Sequence, residues 1–259
     1  MRSEAVANHI VNWLKDYVSK SKTKGFVIGV SGGIDSAVTS TLGALTGLPM
    51  LCVEMPIHQG KDQVSRADMH IQNLQRRFPN VKREEVNLTP IFDSFISAVP
   101  AVDNEEERFM SLANTRARLR MTSLYYFAAL YSYLVLGTGN KVEDFGVGFY
   151  TKYGDGGVDL SPIADLVKTE VYQLGETLEV IPEIMKAPPT DGLWGDDRTD
   201  EDQIGASYPE LEWAMSFVGD ESNLNPRQNE VLNIYRKLNR ANKHKMEPIP
   251  VCSIPSELK

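Results

Sequence analysis

Short apolar runs alternate with longer stretches of helical spacing along most of the chain. Apolar and β-branched residues bounded by turn residues predict β-strands at residues 26–30, 51–55, 85–88 and 133–136. Helical spacing predicts helices at residues 1–20, 35–45, 62–78, 105–130 and 168–178, and in two segments that begin at Pro209 and Pro226. Strands that alternate with helices predict an α/β fold with a doubly wound parallel sheet and helices on both faces.

Two segments do not follow this alternation. Residues 144–162 contain five glycines, which is too many for a regular element and typical of a surface that wraps a ligand. Residues 187–207 are acidic, contain paired prolines, and are interpreted as a mobile lid. Because no repeat and no change of composition divides the chain, we expect residues 1–259 to form a single domain.

Residues 121–140 resemble a membrane-spanning segment in two respects: they contain no charged side chain, and they are about long enough to span a bilayer. The stretch also holds serines, threonines, glycines and four tyrosines, and its pattern changes at Tyr133 from helical to strand-like. We interpret it as a buried helix followed by a central strand, and expect no membrane association.

Acidic residues outnumber basic ones by 35 to 27, so the net charge is −8, which argues against a nucleic-acid partner. The two cysteines are too few for a disulfide framework or a cysteine-rich metal site, and they indicate a reducing compartment. The amino end lacks the basic start and apolar core of a signal peptide. We therefore expect a cytoplasmic protein.

The strongest chemical signal is the loop after the first predicted strand, which consists of Gly29, Val30, Ser31, Gly32, Gly33, Ile34, Asp35 and Ser36. A strand that delivers Ser-Gly-Gly into a helix presents free backbone N–H groups and a helix amino end, which bind oxyanions. The loop therefore predicts a phosphate site. No lysine follows it as in the loops that grip β and γ phosphates.

Two other interpretations of this loop remain open. Residues 29–33 (GVSGG) also match the nucleophile elbow of α/β-hydrolases, which would make Ser31 a nucleophile. That mechanism needs a histidine later in the chain, and only His244 lies far enough along. In the simplest alternative the segment is a tight glycine turn in which Asp35 and Ser36 only cap the helix.

The Ser31–Ser36 sequence resembles the pyrophosphate loop of the ATP-pyrophosphatase superfamily, whose fold is adenine-nucleotide α-hydrolase-like. Residues 137–143 (GTGNKVE) and 149–162 (FYTKYGDGGVDLSP) resemble the long motif of ammonia-dependent NAD synthetases in identity and order, and the resemblance extends from about residue 26 to 245. It implies ATP-dependent amidation of deamido-NAD⁺ by ammonia, the final step of NAD⁺ biosynthesis. The nicotinate carboxylate is adenylated, and AMP and pyrophosphate are released.

The resemblance also implies roles for individual residues. Asp35, Glu143 and Lys168 would be catalytic, and the two carboxylates would hold Mg²⁺, which prefers hard oxygen ligands. For Asp35 a helix cap, and for Glu143 a solvated loop acid, are the alternatives. Beyond the loop Gly29–Ser36, the residues expected at ATP are Thr138, Lys168 and Thr190. The residues expected at deamido-NAD⁺ are Arg118, Lys152, Asp159, His244 and Lys245. Neither the resemblance nor the sequence identifies a general base, and Asp155 and Asp159 are the two candidates for accepting the ammonium proton.

The resemblance further implies a homodimer, and the apolar, aromatic segment 124–133 is consistent with one. The chain shows no glutamine-hydrolysing domain, so we expect the nitrogen source to be free ammonia or ammonia from a separate protein. Two other hypotheses are a different enzyme of the superfamily, such as one of GMP synthesis or tRNA thiolation, and a non-catalytic adenine-nucleotide-binding module. A thiolating enzyme would need paired cysteines and a basic face, and a binding module would not need two metal-binding carboxylates.

Overall fold

The computed structural model describes residues 1–59, 61–190 and 199–259. Its strands are β1 (Gly25–Gly29), β2 (Met50–Glu54), β3 (Val81–Glu85) and β4 (Tyr133–Val135). Its α-helices are α1 (Ser3–Ser21), α2 (Ile34–Leu45), α3 (Lys61–Arg77), α4 (Thr89–Ala98), α5 (Glu105–Tyr131), α6 (Lys168–Thr177), α7 (Pro182–Met185), α8 (Asp200–Ile204), α9 (Tyr208–Ser216) and α10 (Pro226–Met246). A π-helical segment spans Val142–Val147.

The four strands form one parallel sheet in the order β3-β2-β1-β4. Successive residues of β1 point to opposite faces, as the pleat requires. Phe26 and Ile28 pack into an apolar cluster with α1, α2, α3 and α6, whereas Val27 packs into a second cluster with α4 and α5. The predicted α/β fold, with helices on both faces of a parallel sheet, is confirmed.

The strand order places a crevice where the two sequence motifs meet. From β1 the chain moves outward to β2 and β3, and then returns to add β4 on the other side of β1. Connections that leave adjacent strands in opposite directions open a crevice at their carboxyl ends, where α/β proteins bind ligands. The loop 29–36 follows β1, and residues 137–143 follow β4. Both motifs therefore lie at this crevice.

The strand predictions were wrong in two places. The third strand lies at Val81–Glu85 instead of 85–88, and the helix α4 directly after it was missed. Lys82, Arg83 and Glu84 carry no apolar pattern, so pairing with β2 selects this strand at the sheet edge. The strand β4 lies at the edge of the four-stranded sheet, whereas the prediction made it a central strand. Just after β4, Leu136 forms an isolated parallel bridge with Leu160.

The predicted irregular and buried segments also need correction. Val142–Val147, which overlaps the glycine-rich region 144–162, is π-helical. Within the predicted lid, α8 is helical, and residues 191–198 lie outside the described residues. The apolar end of α5 is not buried: Tyr126 is 63% exposed and Leu130 56%. Among the described helices, none is long and apolar enough to cross a membrane.

Candidate active site

A cavity of about 600 Å³ opens at the carboxyl ends of β1, β2 and β4. Its size is that of a small-molecule or nucleotide site. Each residue expected at ATP lines it, together with one of the residues expected at the dinucleotide: Gly29, Val30, Ser31, Gly32, Gly33, Ile34, Asp35, Ser36, Thr138, Lys168, Thr190 and Lys245. Glu143 lines it too. The fold thus brings residues from five separate stretches of chain to one space.

The loop between β1 and α2 is shaped by its glycines and its own serines. Gly32 has a φ of 83°, a conformation that side chains other than glycine rarely adopt. The Gly33 N–H donates to Ser31 Oγ at 3.3 Å, and the Ser36 hydroxyl donates to the Gly33 carbonyl at 3.0 Å. Gly33 is the N-cap of α2, so the amino end of the helix faces the cavity. This geometry suits an anion.

The hydrolase interpretation of Ser31 is not supported. Ser31 Oγ lies 3.2 Å from Ser36 Oγ, and no histidine lines the cavity in the described part of the chain. His244 is on α10, where its Nδ1 lies 3.2 Å from the Ala241 carbonyl oxygen. A nucleophilic serine needs a base within hydrogen-bond reach, and the described residues provide none.

Asp35, Glu143 and Lys168 meet in one buried cluster. The Lys168 ammonium donates to Asp35 Oδ2 at 2.6 Å and to Glu143 Oε1 at 2.9 Å, and Lys168 is only 3% exposed. Burial alone would lower the pKa of Lys168, but the two carboxylates outweigh it and raise the pKa above its usual value. The lysine is therefore a permanent cation, and the two carboxylates converge on one cationic centre.

Asn140, which the sequence analysis missed, fixes both carboxylates. Its side-chain amide donates to Asp35 Oδ1 at 3.2 Å, and its carbonyl accepts from the N–H groups of Val142 and Glu143 at 3.1 Å each. Asn140 is fully buried. It therefore caps the π-helical segment and holds the Glu143 backbone in place opposite Asp35.

Tyr208 and Glu212 on α9, which the sequence analysis also missed, contact the site through hydrogen bonds. The Tyr208 hydroxyl donates to Glu143 Oε1 at 2.6 Å, and the Lys168 ammonium lies 4.7 Å from the centre of the Tyr208 ring. One turn further on, Glu212 accepts from the Thr169 N–H at 2.9 Å and from its hydroxyl at 2.7 Å. The helix was predicted from its proline, but only tertiary packing aims these side chains at the site.

The electrostatics of Glu143 follow from these contacts. Burial alone would raise its pKa, but the Lys168 ammonium and the Tyr208 hydroxyl outweigh burial and hold the pKa below its usual value. Glu143 is therefore ionised at neutral pH and is not a solvated loop acid, the alternative considered above.

The residues expected at deamido-NAD⁺ are divided by the fold. Lys245 lines the cavity and donates to the Gly148 and Tyr150 carbonyls at 2.8 Å each. The exposed Arg118 and the half-buried Lys152 lie outside it. Arg118 Nη2 donates to the Lys152 carbonyl at 3.4 Å, and Lys152 Nζ donates to the His244 carbonyl at 2.6 Å.

Asp159 is not brought to the cavity either. Its carboxylate accepts from the Val135 N–H at 2.8 Å and from the Tyr125 hydroxyl at 3.0 Å. Asp155, the other candidate for accepting a proton, does line the cavity, and its carboxylate accepts from the Thr151 N–H at 3.0 Å.

Comparison with known proteins decides the family. The model of the NAD synthase family matches residues 6–248. A curated NH₃-dependent NAD⁺ synthetase from Syntrophomonas wolfei is 36% identical over 100% of both chains. The chain belongs to the NAD synthase family. Among solved structures, an NMN synthetase from Francisella tularensis is 30% identical with a TM-score of 0.85 over 99% of both chains. An NH₃-dependent NAD synthetase from Campylobacter jejuni is 26% identical, with a TM-score of 0.77 over 98% of this chain and 100% of that one.

Membership of this family confirms the activity predicted from the sequence. The enzyme is a carbon–nitrogen ligase of NAD⁺ biosynthesis that amidates deamido-NAD⁺ with ammonia at the expense of ATP. A non-catalytic binding module and the thiolating and GMP-forming enzymes of the superfamily are thereby set aside.

Proposed function

We propose that the enzyme carries out this amidation with the residues that converge at the ends of β1 and β4. The observation that supports this most directly is the Asp35–Lys168–Glu143 cluster beside the glycine loop. In the first step a nicotinate carboxylate oxygen attacks the α-phosphorus of ATP, a P–O bond forms, and pyrophosphate leaves. Ammonia then attacks the acyl carbon, loses a proton, and AMP leaves. The first step therefore converts a carboxylate oxygen, which is a poor leaving group, into AMP, which is a good one.

The loop Gly29–Ser36 holds the triphosphate. Backbone N–H groups around Gly32 and Gly33 and the amino end of α2 supply the partial positive charge that a phosphate requires. Lys168 adds a full charge where negative charge grows on departing pyrophosphate. Thr138 and Thr190, both on the cavity wall, bind ATP through their hydroxyl groups.

Asp35 and Glu143 fit a Mg²⁺ site by the chemistry of their donors. Both present carboxylate oxygens to one point, which the Lys168 ammonium occupies here at 2.6 and 2.9 Å. Mg²⁺ is usually held by one or two carboxylates together with substrate phosphates and water. When bound, the ion neutralises phosphate charge.

Asp155 is the group we assign to accept the ammonium proton. It lines the cavity, whereas both oxygens of Asp159 are engaged by Val135 and Tyr125. Desolvation of its carboxylate raises the pKa of Asp155 above the usual value, which makes it a stronger base than an unperturbed carboxylate. Lys245, also on the cavity wall, pairs with the dinucleotide, and Arg118, Lys152 and His244 extend that contact along the surface.

We also propose that the whole chain, residues 1–259, acts as one domain, that the enzyme is a homodimer, and that it works in the cytoplasm without nucleic-acid or membrane partners. Support for the dimer comes from the exposed Tyr126, Leu130 and Tyr131 at the end of α5. Support for a reducing compartment comes from Cys52 and Cys252, both free thiols. Sedimentation equilibrium tests the dimer, and a monomer at working concentration would rule it out.

The test of the reaction is phosphorus NMR of the purified enzyme with ATP, Mg²⁺, ammonium and deamido-NAD⁺. We expect AMP and pyrophosphate only when the dinucleotide is present, because cleavage is coupled to its carboxylate. ADP and phosphate, or AMP formed without the dinucleotide, would contradict the mechanism. Glutamine in place of ammonium is the control for the nitrogen source, and it should give no product.

Nicotinate mononucleotide is a second candidate substrate. The observation that favours it is the match to the Francisella tularensis NMN synthetase, which covers 99% of both chains. The mononucleotide presents the same pyridine carboxylate to the same cavity. Measuring kcat/KM for both acids under identical conditions decides which one the enzyme prefers.

A further inference from the structure

Arg120 is a cation of the cavity wall whose hydrogen-bonding capacity is only partly used by the described residues. It lies on α5, where its Nε donates to the Met55 carbonyl at 3.1 Å, and it lines the cavity. Its Nη2 atom is shielded from solvent and makes no hydrogen bond. Throughout the described residues, no carboxylate lies within ion-pair distance of this guanidinium. A buried donor without an acceptor is costly, and a buried charge without a counter-ion more so.

Other cations of the protein show what is missing. Lys168 has two carboxylate partners, and Lys245 has two carbonyl partners. Arg83 binds Glu54 at 2.5 Å and Asp68 at 2.6 Å. Arg120 has a single carbonyl. Burial and then the neighbouring Arg116 lower the pKa of Arg120 to about 10, although the more distant Asp155 carboxylate acts in the opposite direction. The side chain therefore remains protonated at neutral pH.

The surroundings hold this guanidinium in place. The preceding and following turns of α5 pack tightly on the glycine-rich loop: a Cβ added to Gly154 would lie 2.8 Å from Ala117, and one added to Gly157 would lie 2.9 Å from Met121. The carbonyl of Met55, at the end of β2, fixes the other side. Arg120 thus lies on the same cavity wall as the phosphate loop and Asp155.

We propose that Arg120 is the oxyanion receptor of the reacting centre, binding the carboxylate of the pyridine nucleotide or the α-phosphate of ATP that this carboxylate attacks. The proposal rests on the proposed function, and it assigns a residue that the sequence analysis left without a role. A planar guanidinium offers two parallel N–H donors, which match the two oxygens of either group.

The chemistry of the step agrees with this role. As the carboxylate oxygen bonds to phosphorus and pyrophosphate leaves, the negative charge of the carboxylate passes to the adenylate, whose phosphate remains anionic. The Arg120 guanidinium stabilises this negative charge before and after the step, and it neither gains nor loses a proton. It touches the reacting atoms but neither forms nor breaks a bond.

The test measures binding of each ligand separately by calorimetry, so that it does not depend on turnover. The ligands are deamido-NAD⁺, its amide NAD⁺, and ATP with Mg²⁺. The variants are Arg120→Met, which removes the charge, and Arg120→Lys, which keeps the charge but not the fork. Arg108→Met is the matched control, because Arg108 lies on the same helix and, among the described residues, forms an ion pair only with the exposed Glu105.

If Arg120 binds the carboxylate, Arg120→Met weakens deamido-NAD⁺ binding about 100-fold and leaves NAD⁺ and ATP within about threefold, since only the acid loses a buried charge partner. If it binds the α-phosphate, ATP loses about 100-fold and the acid and amide are affected equally. Arg120→Lys should recover part of the loss in either case. Unchanged binding of all three ligands in Arg120→Met would overturn the proposal.

Thermal unfolding distinguishes a binding role from a structural one. If Arg120 binds ligand, its unpaired charge destabilises the free protein, so the ligand-free Arg120→Met variant should melt at the wild-type temperature or higher. A lower melting temperature with equal loss of all three ligands would mean that Arg120 only supports the fold. A wild-type enzyme that binds the acid but fails to amidate it would refute the proposed function and leave this assignment standing.

Discussion

The two sides of the cavity are built on different principles. On the phosphate side, Asp35, Glu143 and Lys168 bind one another directly, and Asn140 and Tyr208 hold the carboxylates. On the dinucleotide side, the exposed Arg118 and the half-buried Lys152 donate to main-chain carbonyls and lie outside the cavity. The first side is a buried network whose members depend on one another. The second is a set of separate charges that water and salt screen.

This difference predicts how each side responds to substitution. In a buried network, removing one member leaves another charge unpaired, so the effect exceeds that of a single contact. On an exposed surface, a charge contributes little by itself and mainly affects binding. The predictions below test this contrast, from the largest expected effect to the smallest.

The largest effect is expected for Asp35→Asn and Glu143→Gln. Each removes a carboxylate from the proposed Mg²⁺ site, and we expect the rate to fall about 100- to 1,000-fold while the fold is retained. Pyrophosphate release measures the rate, and circular dichroism checks the fold. Asp165→Asn is the control, because Asp165 forms only an exposed pair with Lys141. Near-normal turnover in either variant would refute the metal assignment.

A smaller loss is expected for Tyr208→Phe. The substitution keeps the ring beside Lys168 but removes the hydrogen bond to Glu143, and a bond to a charged group is worth about tenfold or more in rate. The variant should also need more Mg²⁺ for half-maximal activity. Titration of the rate with Mg²⁺ measures this, with Tyr17→Phe, an exposed tyrosine of α1, as the control. Equal Mg²⁺ curves would show that Tyr208 does not position Glu143.

Arg118→Ala should affect only the dinucleotide. We expect KM for deamido-NAD⁺ to rise about three- to tenfold, with kcat and KM for ATP unchanged, because an exposed cation contributes modestly. This increase in KM should become smaller as the salt concentration of the assay is raised from about 50 to about 500 mM, because salt screens exposed charges. Arg108→Ala is the control on the same helix. A fall in kcat equal to that of the phosphate-side variants would remove the contrast.

His70 should influence stability and leave catalysis almost unchanged. It is 1% exposed, bonded to Ser40 at 2.9 Å, and burial and then Arg77 lower its pKa from 6.5 to about 4. Between these values the unfolded chain binds a proton that the folded chain does not. His70 therefore does not reduce the free energy of unfolding above pH 6.5. As the pH falls from 6.5 toward 4, proton binding to the unfolded chain lowers the free energy of unfolding by roughly 3 kcal/mol.

Urea unfolding at pH 7 and at pH 4.5 measures this loss, and His70→Gln should reduce it. His9→Gln is the control, since His9 is exposed on α1. An equal pH dependence in wild type and His70→Gln would show that other groups govern acid stability.

The alternation of strands and helices was sufficient for the fold class, and the glycine loop was sufficient to predict an anion site. The set of Asp35, Glu143 and Lys168 was predicted only through the resemblance to NAD synthetases. A glycine loop between a strand and a helix leaves backbone N–H groups free for an anion, and parallel strands bring their carboxyl ends to one edge. The third strand was misplaced because pairing with β2 stabilises a polar edge segment that has no pattern of its own. Asn140 and Tyr208 were missed because the sequence around a single polar residue does not show which groups that residue contacts in the fold.

By itself, the sequence determined the alternation of strands and helices, the anion-binding loop and the family to which the chain belongs. These depend on backbone conformation and short-range order, which neighbouring residues encode. Only the tertiary structure decided that Lys168 lies between two carboxylates and that Tyr208 supports Glu143. It also placed Arg120 at the cavity with no described carboxylate within ion-pair distance. Those relations join residues that lie 25 to 133 positions apart within the cluster of Asp35, Glu143, Lys168 and Tyr208, and burial makes them strong.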